Sequence, residues 1–131
     1  MVIDTSALFA ILANEVEAAE FERAIGQAPI RLMSAASVLE AAIAVERRFG
    51  ETGISELDLL FRRVSIDVRP VDLDQLDWAR FAFQTYGRGR HPAGLNFGDC
   101  FSYALAKSTG EPLLFKGNDF SKTDLASQSS K

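Results

Sequence analysis

Three acidic residues lie in sequence surroundings where a carboxylate is unfavourable. Glu40 is the only charged residue between positions 35 and 45, and Asp4 and Asp99 are each flanked by apolar residues. No lysine or arginine lies within one helical turn of any of them. A buried, unpaired carboxylate costs several kcal/mol, so such a group is normally neutralised, paired or bound to a metal. The sequence therefore predicts a shared, more distant partner, and a divalent cation is the simplest one.

The chemistry of such a site is predictable from its donors. Mg²⁺ and Mn²⁺ prefer oxygen ligands, and Mg²⁺ keeps several waters while taking only a few carboxylates. A bound cation lowers the pKa of a water molecule and stabilises charge on phosphoryl oxygens. Asp119 follows the last strand candidate and is a fourth candidate for this cluster. We therefore predict a phosphodiester-hydrolysing site whose catalytic residues and metal ligands are Asp4, Glu40, Asp99 and Asp119.

Each of these acids also has an ordinary structural interpretation. Asp4 could cap the first helix, and Asp99 is at capping-box distance from Asn96. Asp119 follows Gly-Asn, which is typical of a turn. Glu40 also lies three residues after a serine, but the helix signals begin earlier in the sequence. Glu40 is therefore the acid that local structure explains least well.

Strand and helix candidates alternate along the chain. The strand candidates are residues 2–3, 30–33, 66–71 and 113–115, and the helix candidates are 7–12, 17–25, 34–49, 57–64, 72–86 and 96–108. This alternation predicts an α/β fold with three layers, α/β/α, around a mostly parallel sheet of four to five strands. We expect one domain over residues 1–131, with a polar tail frayed from about 121 to 131. Asp4 and Asp119 both follow strands, and sites in such sheets form at the carboxyl edge.

The composition is that of a globular protein, but its net charge argues against binding to a nucleic acid. A single cysteine, no secretory signal and no apolar run long enough for a bilayer predict a cytoplasmic protein that does not contact membrane. The net charge of −4 is unusual for a nucleic-acid binder, unless metal ions supply the missing positive charge. The sequence contains neither a phosphate-binding P-loop motif nor a zinc-ligand pattern.

Four segments in order resemble the PIN-domain family, specifically the VapC-type toxins of bacterial toxin–antitoxin pairs. The matching segments are residues 2–8, 34–40, 95–100 and 114–120. The resemblance implies a Mg²⁺-dependent endoribonuclease, in which Mn²⁺ substitutes, with the acidic positions at Asp4, Glu40, Asp99 and Asp119. It assigns supporting roles to Ser6 and Asn96, and it implies that metal-activated water leaves a 5′-phosphate.

The same resemblance implies partners. The expected substrate is a structured RNA such as tRNA or ribosomal RNA, and the expected assembly is a homodimer held inactive by a VapB-type antitoxin. Three phenylalanines are candidates for a groove that takes an antitoxin helix, namely Phe9, Phe21 and Phe49. Arg88, Arg90 and His91 are candidate RNA contacts because arginine matches phosphate geometry, and they could equally be solvated residues of a basic loop. Lys116 is a further candidate RNA contact, for which an ordinary surface position is the favoured interpretation.

Two other classes of function remain open from the residues alone. A phosphoacceptor signalling module is also a small α/β domain with an acidic Mg²⁺ pocket and a lysine after a late strand, which Lys116 matches in outline. An inert α/β binding domain would use all of its acids as helix caps. Cys100 lies in an apolar helix and is predicted to be a core residue rather than a nucleophile.

Overall fold

A parallel sheet lies at the centre of the computed structural model, which describes residues 1–125. In that range the strands are β1 (Val2–Ile3), β2 (Leu32–Ser34), β3 (Asp67–Arg69) and β4 (Leu113–Leu114). Their order in the sheet is β3-β2-β1-β4, and every neighbouring pair is parallel. The predicted three-layer α/β class is therefore confirmed. The third strand is shorter than predicted, because only its central three residues pair with β2.

Five α-helices and a short 3₁₀ turn complete the described residues. They are α1 (Thr5–Leu12), α2 (Ala18–Gln27), α3 (Ala35–Val64), α4 (Leu73–Tyr86), α5 (Phe97–Thr109) and the turn Phe120–Lys122. No helix in residues 1–125 combines the length and the apolar character needed to cross a membrane.

The helix α3 merges two elements that the sequence separated. Gly50 has a φ of +66°, so the helix is kinked there, one residue after the predicted end of the first helix. Residues 51–56, predicted as a connection, are helical. At Gly53 an added Cβ would meet Phe49 at 2.6 Å and Val45 at 2.8 Å, so the second half folds closely onto the first. The helix α2 also continues past Gly26, which is helical rather than the predicted stop.

Alternation along the strands divides the core between the two faces of the sheet. Side chains at successive strand positions point to opposite faces. Val2, Leu32 and Leu113 pack with α4 and α5 on one face. The residues that follow each of them, Ile3, Met33 and Leu114, pack with α1, α2 and α3 on the other face. Strands β1, β2 and β4 are short, but their side chains are buried on both faces, whereas those of β3 are exposed.

The segment after β4 packs onto the domain. Leu125 is completely buried, so the predicted fraying does not begin at residue 121. The rest of that predicted tail, residues 126–131, lies outside the described residues. Tyr103 on α5 donates a hydrogen bond of 2.9 Å to Asp124, and Lys107 donates another of 2.9 Å to the same carboxylate. Burial alone raises the pKa of Asp124, but these two hydrogen bonds outweigh it, and the pKa lies below its ordinary value.

Replacement of Asp124 should make the free energy of unfolding less dependent on pH at acidic pH. A carboxyl whose pKa is lower in the folded than in the unfolded chain stabilises the fold above the unfolded pKa. This contribution is lost as the pH falls through the folded pKa. We expect Asp124→Asn to lose stability less steeply than the wild type between about pH 5 and about pH 3 in urea unfolding. Asp77→Asn, at an exposed position of α4, should keep the wild-type slope. Equal slopes for wild type and Asp124→Asn would contradict the assignment.

Candidate active site

Asp4 follows β1 directly and is only 4% exposed. It is the N-cap of α1, as its local sequence predicts, and its Oδ2 accepts from the Ser6 backbone N–H at 3.0 Å. The Ser6 hydroxyl donates to the same oxygen at 2.6 Å. The other oxygen, Oδ1, accepts from the Ser102 hydroxyl of α5 at 2.5 Å. Asp4 therefore caps a helix and is also fixed from a distant element, which capping does not require.

Glu40 lies in the second turn of α3 and is half-buried. Its Oε1 accepts a hydrogen bond of 2.8 Å from the Thr5 hydroxyl. An added Cβ at Gly98 would lie 2.1 Å from its Oε2, so its carboxylate packs directly on the start of α5. Burial raises the pKa of Glu40, the Thr5 hydrogen bond opposes that rise, and the Asp4 charge adds to it.

The helix around Glu40 is not buried all round, contrary to the prediction from its apolar sequence. Leu39 is 63% exposed and Ile43 is 43% exposed. The first half of α3 packs on α1 and the sheet through one side, which carries the buried Ala41 and Val45. Its opposite side is apolar and faces solvent. The burial of Glu40 therefore comes from Thr5 and Gly98 and not from a helix enclosed on every side.

Asp99 forms the capping box that its sequence predicts. The Asn96 side chain accepts from the Asp99 backbone N–H at 2.9 Å, and the Asp99 Oδ2 accepts from the Asn96 backbone N–H at 3.0 Å. The pKa of Asp99 is raised to about 7, chiefly by burial and also by the charges of Asp4, Asp119 and Glu40, while the Asn96 hydrogen bond opposes the rise. The charges of the three other predicted acids therefore all act on the Asp99 carboxyl.

Asp119 is exposed and begins the turn Phe120–Lys122. Its side chain makes no capping hydrogen bond to that turn. The structure therefore gives no support to a purely local capping role for this residue. Its charge contributes to the raised pKa of Asp99.

No cation of the protein neutralises this cluster in residues 1–125. The ion pairs there do not include Asp4, Glu40, Asp99 or Asp119. No three acidic, histidine or cysteine side chains in the described residues already form a compact metal-binding group. The acids therefore surround the site without forming a preformed cage. Oxygen donors without a counter-charge suit Mg²⁺, which keeps much of its water and takes few direct protein ligands.

The side chain of Lys116 is directed away from the acids. Its Nζ contacts Glu15 at 2.7 Å and Glu17 at 3.5 Å, and the Glu15 hydrogen bond raises its pKa although burial opposes this. The Lys116 backbone N–H donates to the Ser6 hydroxyl at 2.9 Å, which supports the position of Ser6 beside Asp4. Lys116 therefore supports the site through its backbone N–H group and not through its side chain.

The basic loop between α4 and α5 is ordered by its own side chains. The Nδ1 of His91 accepts from the Ala93 backbone N–H at 3.0 Å, and its ring packs edge-on against Tyr86 at 5.0 Å. Arg90 lies over the Phe83 ring at 5.7 Å, and Arg88 is exposed. Contact between these side chains and RNA stays a prediction.

Sequence reasoning missed three residues that shape the site: Thr5, Gly98 and Ser102. Ser102 follows Asp99 by three positions, so both occupy one face of α5, and that spacing was available as a signal. The contacts of Thr5 and Gly98 with Glu40 join distant parts of the chain and leave no local pattern. Cys100 is a buried thiol, and burial together with the Asp99 charge raises its pKa to about 11. Its predicted role as a core residue is confirmed.

Comparisons with known proteins agree with this geometry. Residues 1–125 match the family model described as PIN domain. The chain is 60% identical over 126 residues to Ribonuclease VapC30 of Mycobacterium tuberculosis, covering 96% of each chain. Its fold is similar to that of VapC20 of Mycobacterium tuberculosis, a sarcin-ricin loop cleaving toxin, with a TM-score of 0.74, 19% identity and 92% of each chain covered. It is also similar to a chain of a toxin–antitoxin complex from Klebsiella pneumoniae, with a TM-score of 0.70, 17% identity and coverage of 95% and 92%.

The substitution Gly98→Ala should lower the cleavage rate without lowering the thermal stability. Alanine is favoured over glycine by up to about 1 kcal/mol in a helix, so the thermal midpoint should be unchanged or raised. The new Cβ would overlap the Glu40 carboxylate, which must move. If Glu40 belongs to the active site as predicted, the cleavage rate on RNA should fall about 10- to 100-fold, because a displacement of about 1 Å has that effect on a reacting geometry.

The matched control for this substitution is Gly26→Ala. An added Cβ there meets nothing within 4 Å, and the position lies in α2, on another helix. This variant should keep the wild-type rate. Wild-type activity in Gly98→Ala would show that the position of Glu40 is not constrained by Gly98.

Proposed function

The chain belongs to the PIN-domain family and is one of its VapC-type ribonucleases, and from this premise we propose that its RNA hydrolysis depends on a divalent cation. Mg²⁺ is the proposed ion, and Mn²⁺ would substitute for it. The residues that would hold it are Asp4, Glu40, Asp99 and Asp119. The observation that carries this proposal is the position of the Glu40 carboxylate, which accepts a hydrogen bond from Thr5 beside Asp4 and lies against Gly98 beside Asp99. None of these three acids forms an ion pair with a basic side chain in residues 1–125.

The site residues have separate tasks in this proposal. When bound, the cation would supply an activated water and stabilise charge on the phosphoryl group. Asp4 and Asp99 are fixed by hydrogen bonds at helix N-termini and give the site its rigid part. Asp119 is exposed, so the phosphodiester would enter from its side. Ser6 would keep Asp4 oriented, and the expected product carries a 5′-phosphate.

The proposed substrate is a structured RNA such as tRNA or ribosomal RNA in the cytoplasm. The net charge of −4 gives the chain little attraction for RNA by itself, so bound cations would have to offset it. Exposed Arg88 is the side chain of the basic loop that is freest to reach a phosphate. Family membership leaves the phosphoacceptor module and the inert binding domain without support.

A second copy of the chain is the proposed occupant of an apolar face on α3, α4 and α5. We define the apolar face by Leu39, Ile43, Leu76, Phe83, Phe97 and Phe101. Phe97 is 79% exposed and packs edge-on against Phe101 at 5.0 Å. These two rings separate a cleft of about 520 Å³ from one of about 350 Å³. A continuous apolar surface with a ridge and two clefts is typical of a homodimer interface.

A VapB-type antitoxin is the other proposed partner. Phe9 and Phe49 are partly exposed, with ring centroids 6.0 Å apart, so they can contribute to a groove for an antitoxin helix. Phe21 is only 3% exposed and belongs to the core, so its predicted place in that groove is wrong. Its side chain faces the sheet because α2 packs its apolar side inward.

The variant Asp99→Asn tests the metal-dependent mechanism. The amide keeps an oxygen for the capping box but removes the charge, and we expect RNA cleavage to fall at least about 100-fold, beyond the effect of losing an outer-shell partner. Chelator should abolish wild-type cleavage of total RNA, and added Mg²⁺ or Mn²⁺ should restore it. Asp77→Asn serves as the surface control. Cleavage that persists in chelator, or in Asp99→Asn, would refute the mechanism.

The variant Leu76→Asp tests the homodimer. This leucine is 44% exposed on the apolar face and lies on α4, which carries none of the four site acids. A charge there should convert a dimer to a monomer in analytical ultracentrifugation, because a buried aspartate would lack a partner. Leu59→Asp, at a 58% exposed leucine outside the apolar face, should remain dimeric. A dimeric Leu76→Asp would exclude this face as the interface.

A further inference from the structure

Asp4 has an uneven distribution of hydrogen bonds between its two oxygens. Oδ2 accepts from both the backbone N–H and the hydroxyl of Ser6, whereas within residues 1–125 Oδ1 accepts only from Ser102. A carboxylate oxygen accepts about two hydrogen bonds. Oδ2 is therefore saturated by Ser6, and Oδ1 keeps one acceptor position whose direction depends on Ser102.

Ser102 has an environment that leaves its hydroxyl little freedom. It is completely buried, and its Oγ lies 3.3 Å from the Oγ of Ser37. Its single proton goes to Asp4, so Ser37 must be the donor in the contact between the two serines. The Ser102 hydroxyl is thus fixed from α3 and holds Asp4 from α5.

Glu40 is also held by a hydroxyl from another element, namely Thr5 of α1. The Thr5 hydroxyl lies 2.8 Å from its Oε1 and 3.1 Å from the Ser37 carbonyl, and the shorter contact is the one to the carboxylate. Thr5 is the first residue of α1, directly after Asp4. One segment therefore carries both an acid of the site and the hydroxyl that restrains a second acid.

We propose that Ser102 and Thr5 are positioning residues that fix the Asp4 and Glu40 carboxylates in the orientation that a divalent cation requires. This inference rests on the proposed metal-dependent function. The hydroxyls act as outer-shell donors: each directs a free acceptor position of its carboxylate toward the shared site. Without Ser102, Asp4 would be held through Oδ2 alone, and without the Thr5 hydroxyl, Glu40 would lose the hydrogen bond to its Oε1. Capping of α1 needs neither hydroxyl, since the Ser6 N–H already provides the capping bond.

The experiment uses four variants of the full chain. Ser102→Ala and Thr5→Val remove one hydroxyl each, and Thr5→Val does so at nearly constant volume. Thr5→Ser restores the donor in the same place. Ser108→Ala is the matched control, because it removes a hydroxyl of α5 that bonds only to the Leu105 carbonyl at 3.3 Å. Thermal midpoints establish that each variant is folded.

The first readout is Mn²⁺ affinity of the RNA-free protein, measured by titration calorimetry. We expect Ser102→Ala and Thr5→Val to bind Mn²⁺ about 10- to 100-fold more weakly, the usual effect of losing an outer-shell partner. Thr5→Ser and Ser108→Ala should stay within about twofold of the wild type. The second readout is cleavage of RNA, where kcat should fall with little change in KM, since the hydroxyls do not reach the substrate.

The outcomes separate this inference from the function on which it rests. Wild-type protein that does not bind Mn²⁺ would overturn the metal-dependent function and the positioning roles together. Binding by the wild type with equal affinity in Ser102→Ala and Thr5→Val would overturn the positioning roles alone. A lowered thermal midpoint with unchanged Mn²⁺ affinity would assign the hydroxyls to stability only, which also overturns the inference. If Ser102→Ala does not fold, the Mn²⁺ affinities of Thr5→Val and Thr5→Ser test the inference. Equal affinities of these two variants would overturn it.

Discussion

The central constraint on this fold is the mutual repulsion of carboxylates that it holds together. Asp99 is the acid most affected, because burial and the charges of Asp4, Asp119 and Glu40 all oppose its ionisation. Coulomb repulsion between such groups grows as solvent is excluded. A protein that only needed to fold would separate these residues. Their convergence requires other interactions to hold each one in place.

Backbone geometry supplies those interactions first. Asp4 and Asp99 are both placed at the N-termini of helices, where free N–H groups and the helix dipole favour a negative charge. The capping roles and the proposed catalytic roles of these acids are therefore not competing explanations, because capping is compatible with holding the charges close together. Glu40 has no such support inside α3, and a side-chain hydroxyl takes over the task.

The parallel sheet determines which helices meet at the site. Strands β1, β2 and β4 each bury side chains on both faces, so helices pack on both sides, and the chain returns to the same edge after every strand. The start of α1, the second turn of α3 and the first turn of α5 converge there. The exposed apolar face begins immediately beside them, at Leu39 and Phe97. A second copy on that face would exclude water next to the acids and would join assembly to the site.

The sequence by itself determined the α/β class and the order of its strands along the chain, and it predicted the four acids of the proposed site. Glu40 was identifiable because a lone charge in an apolar segment has no local partner. The resemblance to the PIN-domain family arose from four short segments that match in the same order along the chain. Helix ends and strand lengths were less predictable: Gly26 stays helical, and the connection before residue 57 folds into α3, because packing overrides local stop signals.

Tertiary structure alone decided which side chains restrain the acids and which apolar residues stay exposed. Ser102 and Thr5 reach their carboxylates across 98 and 35 positions of sequence, and Gly98 gives Glu40 its space in the same way. The apolar stretch around Glu40 predicted a buried helix, yet one side of it faces solvent. The physical reason is common to all of these: hydrogen bonds and burial depend on distances between elements, and a local pattern specifies only the elements themselves.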